Sequence, residues 1–197
     1  EKSLEMIESR VVNGQIRKHY RHVANDYKYP VMREMFFDQE CPIDTKWVVW
    51  FDDDTIADRH PGWLQILAHA IVRHHKPDNA HMFGKPFTFT LTPQVKQVFA
   101  SRPWYTGRPW RLKNGQPAPN GNQSVFCTGG FWALTLEAIQ KADIPDLGTG
   151  LTHNGGDWQI GEQLWQQGFG MKMFNSDKQF VHTSSVPRRG VTMPGPG

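Results

Sequence analysis

Apolar residues run unbroken through Trp47-Val48-Val49-Trp50-Phe51, and the carboxylates Asp52, Asp53 and Asp54 follow at once. A short continuous run of Val and aromatic residues predicts a central strand buried on both faces. Upstream, Leu4, Ile7, Val11 and Val12 recur at helical spacing before Gly14, and Val31, Met32, Met35 and Phe36 predict a short amphipathic helix. Downstream, Pro61 suits the first position of a helix whose apolar face is Trp63, Leu64, Leu67, Ala70 and Ile71. Arg73, His74, His75 and Lys76 crowd its last turn, where the helix dipole favours cations, and Pro77 stops it. His81–Lys85 and Phe87–Leu91 read as strands cut by Pro86, and Pro93–Arg102 as a helix. Val125–Ala133 reads as a strand pair, or as one strand with a glycine break at Gly129-Gly130. Thr135 caps a helix through Ala142, and Gly155-Gly156-Asp157 opens another that runs to Gln167 and closes with Gly168. Met171–Phe174 and Gln179–His182 are the last strands, so helices and strands mix along the whole chain in an α/β pattern.

One stretch breaks this pattern. Residues 103–123 are rich in Pro, Gly and Asn, yet hold Trp104, Tyr105 and Trp110 beside Arg102, Arg108 and Arg111. Aromatic and cationic residues in a long irregular segment predict a functional loop. Composition narrows the picture less. The 197 residues suffice for one domain with a real core, and 38% hydrophobic with 21% charged is a globular balance. A net charge of +3 permits an anionic or nucleic-acid partner without requiring one, and the run Arg17–His22 reads as a solvated face. Cys41 and Cys127 have no metal spacing and form no disulfide framework, which favours a reducing, cytoplasmic setting. No apolar run approaches a membrane span. The chain starts at Glu1, which reads as the start of a fragment.

The acids carry the candidate chemistry. Three adjacent carboxylates repel one another and resist burial, so a core has no use for them. At the carboxyl end of a strand they sit where open α/β sheets bind ligands. Oxygen-only donors point to a hard cation, Mg²⁺ or Mn²⁺, carrying phosphate. Asp157 reads either as a helix cap or as a carboxylate held at a helix mouth to take a proton.

In order, the motifs are a strand ending in Asp52-Asp53-Asp54, a later Gly129-Gly130 strand, Asp157 opening a helix, and the late His182. This set resembles the GT-A fold glycosyltransferases of the family 2-like, Asp-x-Asp-containing kind, over roughly residues 25–185. The resemblance implies an α/β, GT-A (Rossmann-like) single domain over residues 1–182, with a central mixed sheet flanked by helices and a flexible tail at 183–197. Such domains begin with a nucleotide-binding strand, which no part of the 51 residues before Asp52 resembles; that strand is expected to lie outside this chain.

The resemblance also implies roles. Asp54 would ligate Mn²⁺ or Mg²⁺ directly, Asp52 would hold the ribose or a metal-bound water, Asp53 would support the loop, and His182 would be a late metal ligand. Asp157 would be the base of an inverting hexosyl transfer. Gly129 and Gly130 would admit the donor sugar to the backbone, Arg188 and Arg189 would reach the diphosphate, and Trp132 and Trp158 would pack on sugar or in the core. The donor would be a nucleoside-diphosphate sugar, a UDP-sugar by preference, and the acceptor a glycan, protein, lipid or hydroxylated DNA base. Two rivals remain. A haloacid-dehalogenase-type phosphohydrolase would use Asp52 as nucleophile and Asp54 as acid–base with Mg²⁺, Gly156-Asp157 as its later motif, and Lys85 or Lys141 as its lysine. A non-catalytic domain would bind carbohydrate or nucleic acid through the Trp-rich loop.

Overall fold

The computed structural model describes residues 5–6, 9–10, 12–14, 17–20, 28–52, 55–56, 62–111, 122–127, 130–144, 155–173 and 182–183. Its elements in chain order are α1 (Lys28–Phe36), β1 (Trp47–Phe51), β2 (Thr55–Ile56), α2 (Trp63–His74), β3 (Ala80–Gly84), β4 (Phe87–Leu91), α3 (Pro93–Ala100), β5 (Asn122–Phe126), β6 (Phe131–Thr135), α4 (Leu136–Lys141), α5 (Gly155–Gln166), β7 (Gly170–Met173) and β8 (His182–Thr183). Four strands form a mixed sheet in the order β1-β6-β3-β7. β6 is antiparallel to both β1 and β3, and β3 is parallel to β7. With helices packed on it, this is a mixed α/β fold, as the alternation of patterns predicts.

The burial differs from the expectation. Among the described residues β1 is an edge strand; Trp47–Trp50 are half-buried and Phe51 is exposed. The buried middle is β6 and β3, in which every residue is buried. The physical reason lies in the two faces. Val48 and Trp50 of β1 join Met82, Trp132 and Leu134 in one apolar layer with α1, α4 and α5. Trp47 and Val49 join Phe83, Phe131 and Ala133 in the other, under Trp63, Leu67, Ala70 and Ile71 of α2. A strand covered on both faces needs apolar residues at every position, whether or not a neighbour lies along its outer edge. Leu64, placed on the inner face of α2 by spacing, is instead 55% exposed.

The segment Val125–Ala133 is not a hairpin. β5 pairs with β4, from Phe87↔Phe126 to Leu91↔Asn122, while β6 belongs to the main sheet. The chain therefore changes sheets at the turn between Phe126 and Phe131. Local capping follows the sequence: Ala138 N donates to Thr135 Oγ1 at 3.1 Å at the start of α4. The same Thr135 oxygen lies 2.9 Å from His81 Nδ1, and His81 Nε2 faces Asn79 Oδ1 at 3.2 Å. Burial holds the His81 imidazole below its ordinary pKa, so the neutral ring accepts a hydrogen bond from the Thr135 hydroxyl at Nδ1 and donates one from Nε2 to Asn79 Oδ1.

In the described part of the aromatic loop Trp104 is core and Tyr105, Arg108 and Trp110 are half-buried, while Thr106, Gly107 and Pro109 are exposed. Trp104 is buried against Phe99, and Trp110 packs towards Trp158 and Tyr105. The Arg108 guanidinium lies 3.3 Å from the centre of the Trp165 ring. Gln166 clasps the loop backbone: its Oε1 accepts from Arg108 N at 3.0 Å and its Nε2 donates to Arg108 O at 2.7 Å. The carboxyl of Glu162 lies beneath this clasp, wholly buried, and its Oε1 accepts from Gln166 Nε2 at 2.8 Å. Among the described residues no helix is long and apolar enough to cross a membrane.

Burial pushes the Glu162 carboxyl up to about 7, against the smaller opposing pull of Gln166 and Arg108. An acid with a raised folded pKa contributes stability that is complete below its unfolded value, near 4.5, and is lost as pH rises through about 7. The loss amounts to about 3 kcal/mol. Glu162→Gln is therefore expected to raise the urea midpoint at pH 8 and to leave it nearly unchanged at pH 4.5; equal effects at both pH values would contradict the assignment.

Candidate functional site

The antiparallel register of β1 on β6 continues one step past the strand. Phe51 lies opposite Phe131, and Asp52 N donates to Gly130 O at 2.7 Å. The first acid of the run is thereby fastened to the glycine turn. Trp50, two residues back and on the same face, donates from Nε1 to Asp52 Oδ1 at 2.8 Å. Trp50 is itself held flat on Trp132, with ring centroids 5.4 Å apart and planes 4° from parallel, and Phe36 meets both rings edge-on. An aromatic pair in the core thus sets the direction of the carboxylate at the strand tip.

On the other side of the acids, β2 pairs with β8. The register sets Thr55 opposite Thr183 and Ile56 opposite His182. This brings residue 182 beside a position two residues beyond Asp54. The strand at this point is His182–Thr183; the remainder of the expected Gln179–His182 strand lies outside the described residues.

Beneath the turn, β3 ends at Gly84. A Cβ there would stand 2.0 Å from Cys127 O and 2.7 Å from Phe131 O, so only glycine lets the backbones cross. Lys85 N then donates to Phe131 O at 3.2 Å. Cys127, wholly buried at the start of the turn, has its thiol pushed up to about 12 by burial, which makes it a packing group and not a nucleophile.

Asp157 is 7% exposed and is the third residue of α5, inside the first turn rather than at the cap. Its neighbour Trp158 stacks on Phe89 at 4.5 Å, and Gly161 lies against Phe126 so closely that a Cβ would come within 2.7 Å of the ring. Phe126 ends β5 just before Cys127, so the helix bearing Asp157 is seated on the strand that feeds the glycine turn. Trp158 and Trp132 are 0% and 1% exposed. Neither offers a face to a sugar, which corrects that part of the expectation: both are core.

Asp53, Asp54, Gly129, Arg188 and Arg189 lie outside the described residues, and His182 is described by its backbone alone. Among the described residues no three His, Cys, Asp or Glu side chains gather as a metal cage. What is described fits a hard divalent ion in kind: a carboxylate oxygen fixed at the strand tip, two more acids following in sequence, and residue 182 paired just beyond them. Two supporting residues escaped the sequence reading. Trp50 was legible only through its i, i+2 spacing from Asp52, and Gly84 carried no local signal. Comparison of the chain with protein-family models, with curated proteins and with solved structures finds no match to any of them.

Gly84→Ala drives a methyl group into backbone on both ends of the turn. Overpacking against backbone is expected to cost about 3 kcal/mol or more. The loss should appear in urea unfolding, and the Asp52 and Gly130 amide resonances should shift. An unchanged midpoint with unmoved amides would show that the turn does not rest on Gly84.

Proposed function

We propose that the chain is a metal-dependent glycosyltransferase of the GT-A kind, moving a sugar from a nucleoside-diphosphate donor, a UDP-sugar by preference, to a hydroxyl acceptor. The observation that carries this reading is the convergence of sequence-distant motifs on one strand end. Asp52 is bonded to Gly130, and β8 sets residue 182 opposite Ile56, so two sequence-distant motifs pair with the described residues that flank the acids in sequence. The mixed sheet with helices on its faces is of the kind the resemblance implies.

In this reading Asp52, Asp54 and His182 hold Mn²⁺ or Mg²⁺, which supplies charge neutralisation to the departing diphosphate. Asp53 supports the loop, Gly129 and Gly130 allow the donor close to the backbone, and Arg188 and Arg189 bind diphosphate oxygens. Asp157 accepts the proton of the acceptor hydroxyl as that oxygen bonds to the anomeric carbon and the bond to diphosphate breaks, giving inversion.

A thermal-shift screen of UDP- and GDP-sugars with and without Mn²⁺ tests donor binding. Stabilisation is expected only with nucleotide sugar and metal together. Asp157→Asn is expected to lower sugar transfer by a factor of about 10²–10⁴ while keeping the donor-induced shift. Retained transfer would remove Asp157 from the role of base, and turnover of a chromogenic phosphate ester in place of donor binding would replace the reading with a phosphohydrolase.

A further inference from the structure

The hydrogen bonds that flank β1 fix which of its backbone groups face outward. Leu136 N donates to Lys46 O at 3.0 Å and Asp52 N to Gly130 O at 2.7 Å, both in the β1–β6 register. In an antiparallel ladder alternate residues bond to the same neighbour. Lys46, Val48, Trp50 and Asp52 therefore turn to β6, and Trp47, Val49 and Phe51 turn the other way. Among the described residues no strand pairs with them; only the Thr45 hydroxyl donates to Trp47 O, at 2.9 Å. The strand has no Pro, no charge and no bulge to blunt this edge. A cleft of about 360 Å³ runs along it, bounded by Met35, Phe36 and Ile43 and by Lys18 and Tyr20. Lys18 and Tyr20 both bond to Asp38, which fixes that wall.

We propose that this edge is a strand-pairing surface for a second copy of the chain, antiparallel, with Val49 on the two-fold axis. The outward set Trp47, Val49, Phe51 is symmetric about Val49. Each Val49 then exchanges both backbone bonds with its twin, and each Trp47 exchanges its pair with Phe51 of the second copy. Between them Val48 stands beside Trp50 of the second copy, an aromatic–β-branched pair on one face. One step further, exposed Lys46 stands opposite Asp52 of the second copy, and the symmetry makes this contact twice. That charge match selects a second copy over an unrelated strand. It also selects the register, since a one-residue slip would pair inward with outward side chains and separate the charges. The pairing does not rest on the transferase reading, although both draw on Asp52, beside which it sets a cation from the second copy.

Sedimentation velocity over a concentration series reads the outcome directly. The 22.6 kDa chain is expected to sediment as a dimer that dissociates on dilution. Lys46→Glu alters an exposed side chain and places two carboxylates face to face at two symmetric positions; it should weaken the dimer by about tenfold or more. Val49→Pro removes the N–H on the axis and should yield a monomer, with circular dichroism confirming the fold. A wild-type monomer at every concentration would overturn the proposal. So would a dimer whose dissociation constant Lys46→Glu leaves unchanged.

Discussion

Trp50 lies flat on Trp132 at directly opposed positions of β1 and β6, and one step along Phe51 meets Phe131 at 5.1 Å. An aromatic cross-strand pair contributes about 0.5–1.5 kcal/mol beyond the area it buries. Its larger effect here is on register. A shift of one residue would turn Val48 and Trp50 from the layer under α1 and α5 into the layer under α2, and strand the rings of both layers. With the register so fixed, the residue after Phe51 must face the residue before Phe131. Asp52 meets Gly130 because the core beside them admits no other match. The position of Asp52 thus follows from packing two residues away as well as from its own bonds to Gly130 and Trp50.

The same dependence runs through the turn. Its ends are fixed by β5, which belongs to the two-stranded ladder with β4, and by β6, which belongs to the main sheet. Gly84 lies at the crossing, in backbone contact with both ends. The turn is therefore held at a junction of two sheets, where neither end moves without disturbing a ladder. A site that must stabilise developing charge gains from donors and acids that are already in place and do not reorganise. Asp52 meets that condition through two bonds, one from its own backbone to Gly130 and one to its carboxylate from Trp50.

Much of this was legible in the residues. The run Trp47–Phe51, the helix at Trp63–His74, the Thr135 cap and the helix carrying Asp157 follow from local pattern and capping chemistry, which act over a few residues. The place of β1 in the sheet was not legible. A strand at an edge and a strand at the centre carry the same apolar run when both faces are covered, and only pairing partners eighty or more residues away distinguish them. The aromatics near residue 105 misled for a related reason: Pro and Gly break regular structure but do not prevent burial, and Trp104 and Trp110 fill space beside Phe99 and Trp158. A two-residue strand such as His182–Thr183 has too few positions to show a period at all.

The helix that carries Asp157 shows how polar residues can fix a position that apolar ones would leave loose. A helix enclosed on nearly every side is ordinarily apolar all round. α5 instead buries Gln163 and Gln166. Each amide offers an NH₂ donor group and a carbonyl acceptor, which together match the N–H and C=O of a passing backbone segment. Gln163 accepts from Asp143 N at 2.6 Å and donates to Asp143 O at 3.0 Å, and Gln166 does the same for Arg108 on another segment. Apolar contacts tolerate a slide or a small rotation, because attraction between packed carbons varies slowly with direction. Paired hydrogen bonds do not tolerate it, and a buried amide that lost its partner would bear the full cost of its desolvation. Two such clasps to two segments, together with Gly161 pressed on Phe126, leave α5 one rotation and one height. The carboxylate in its first turn inherits that placement, as an acid that has to meet a particular hydroxyl proton would require.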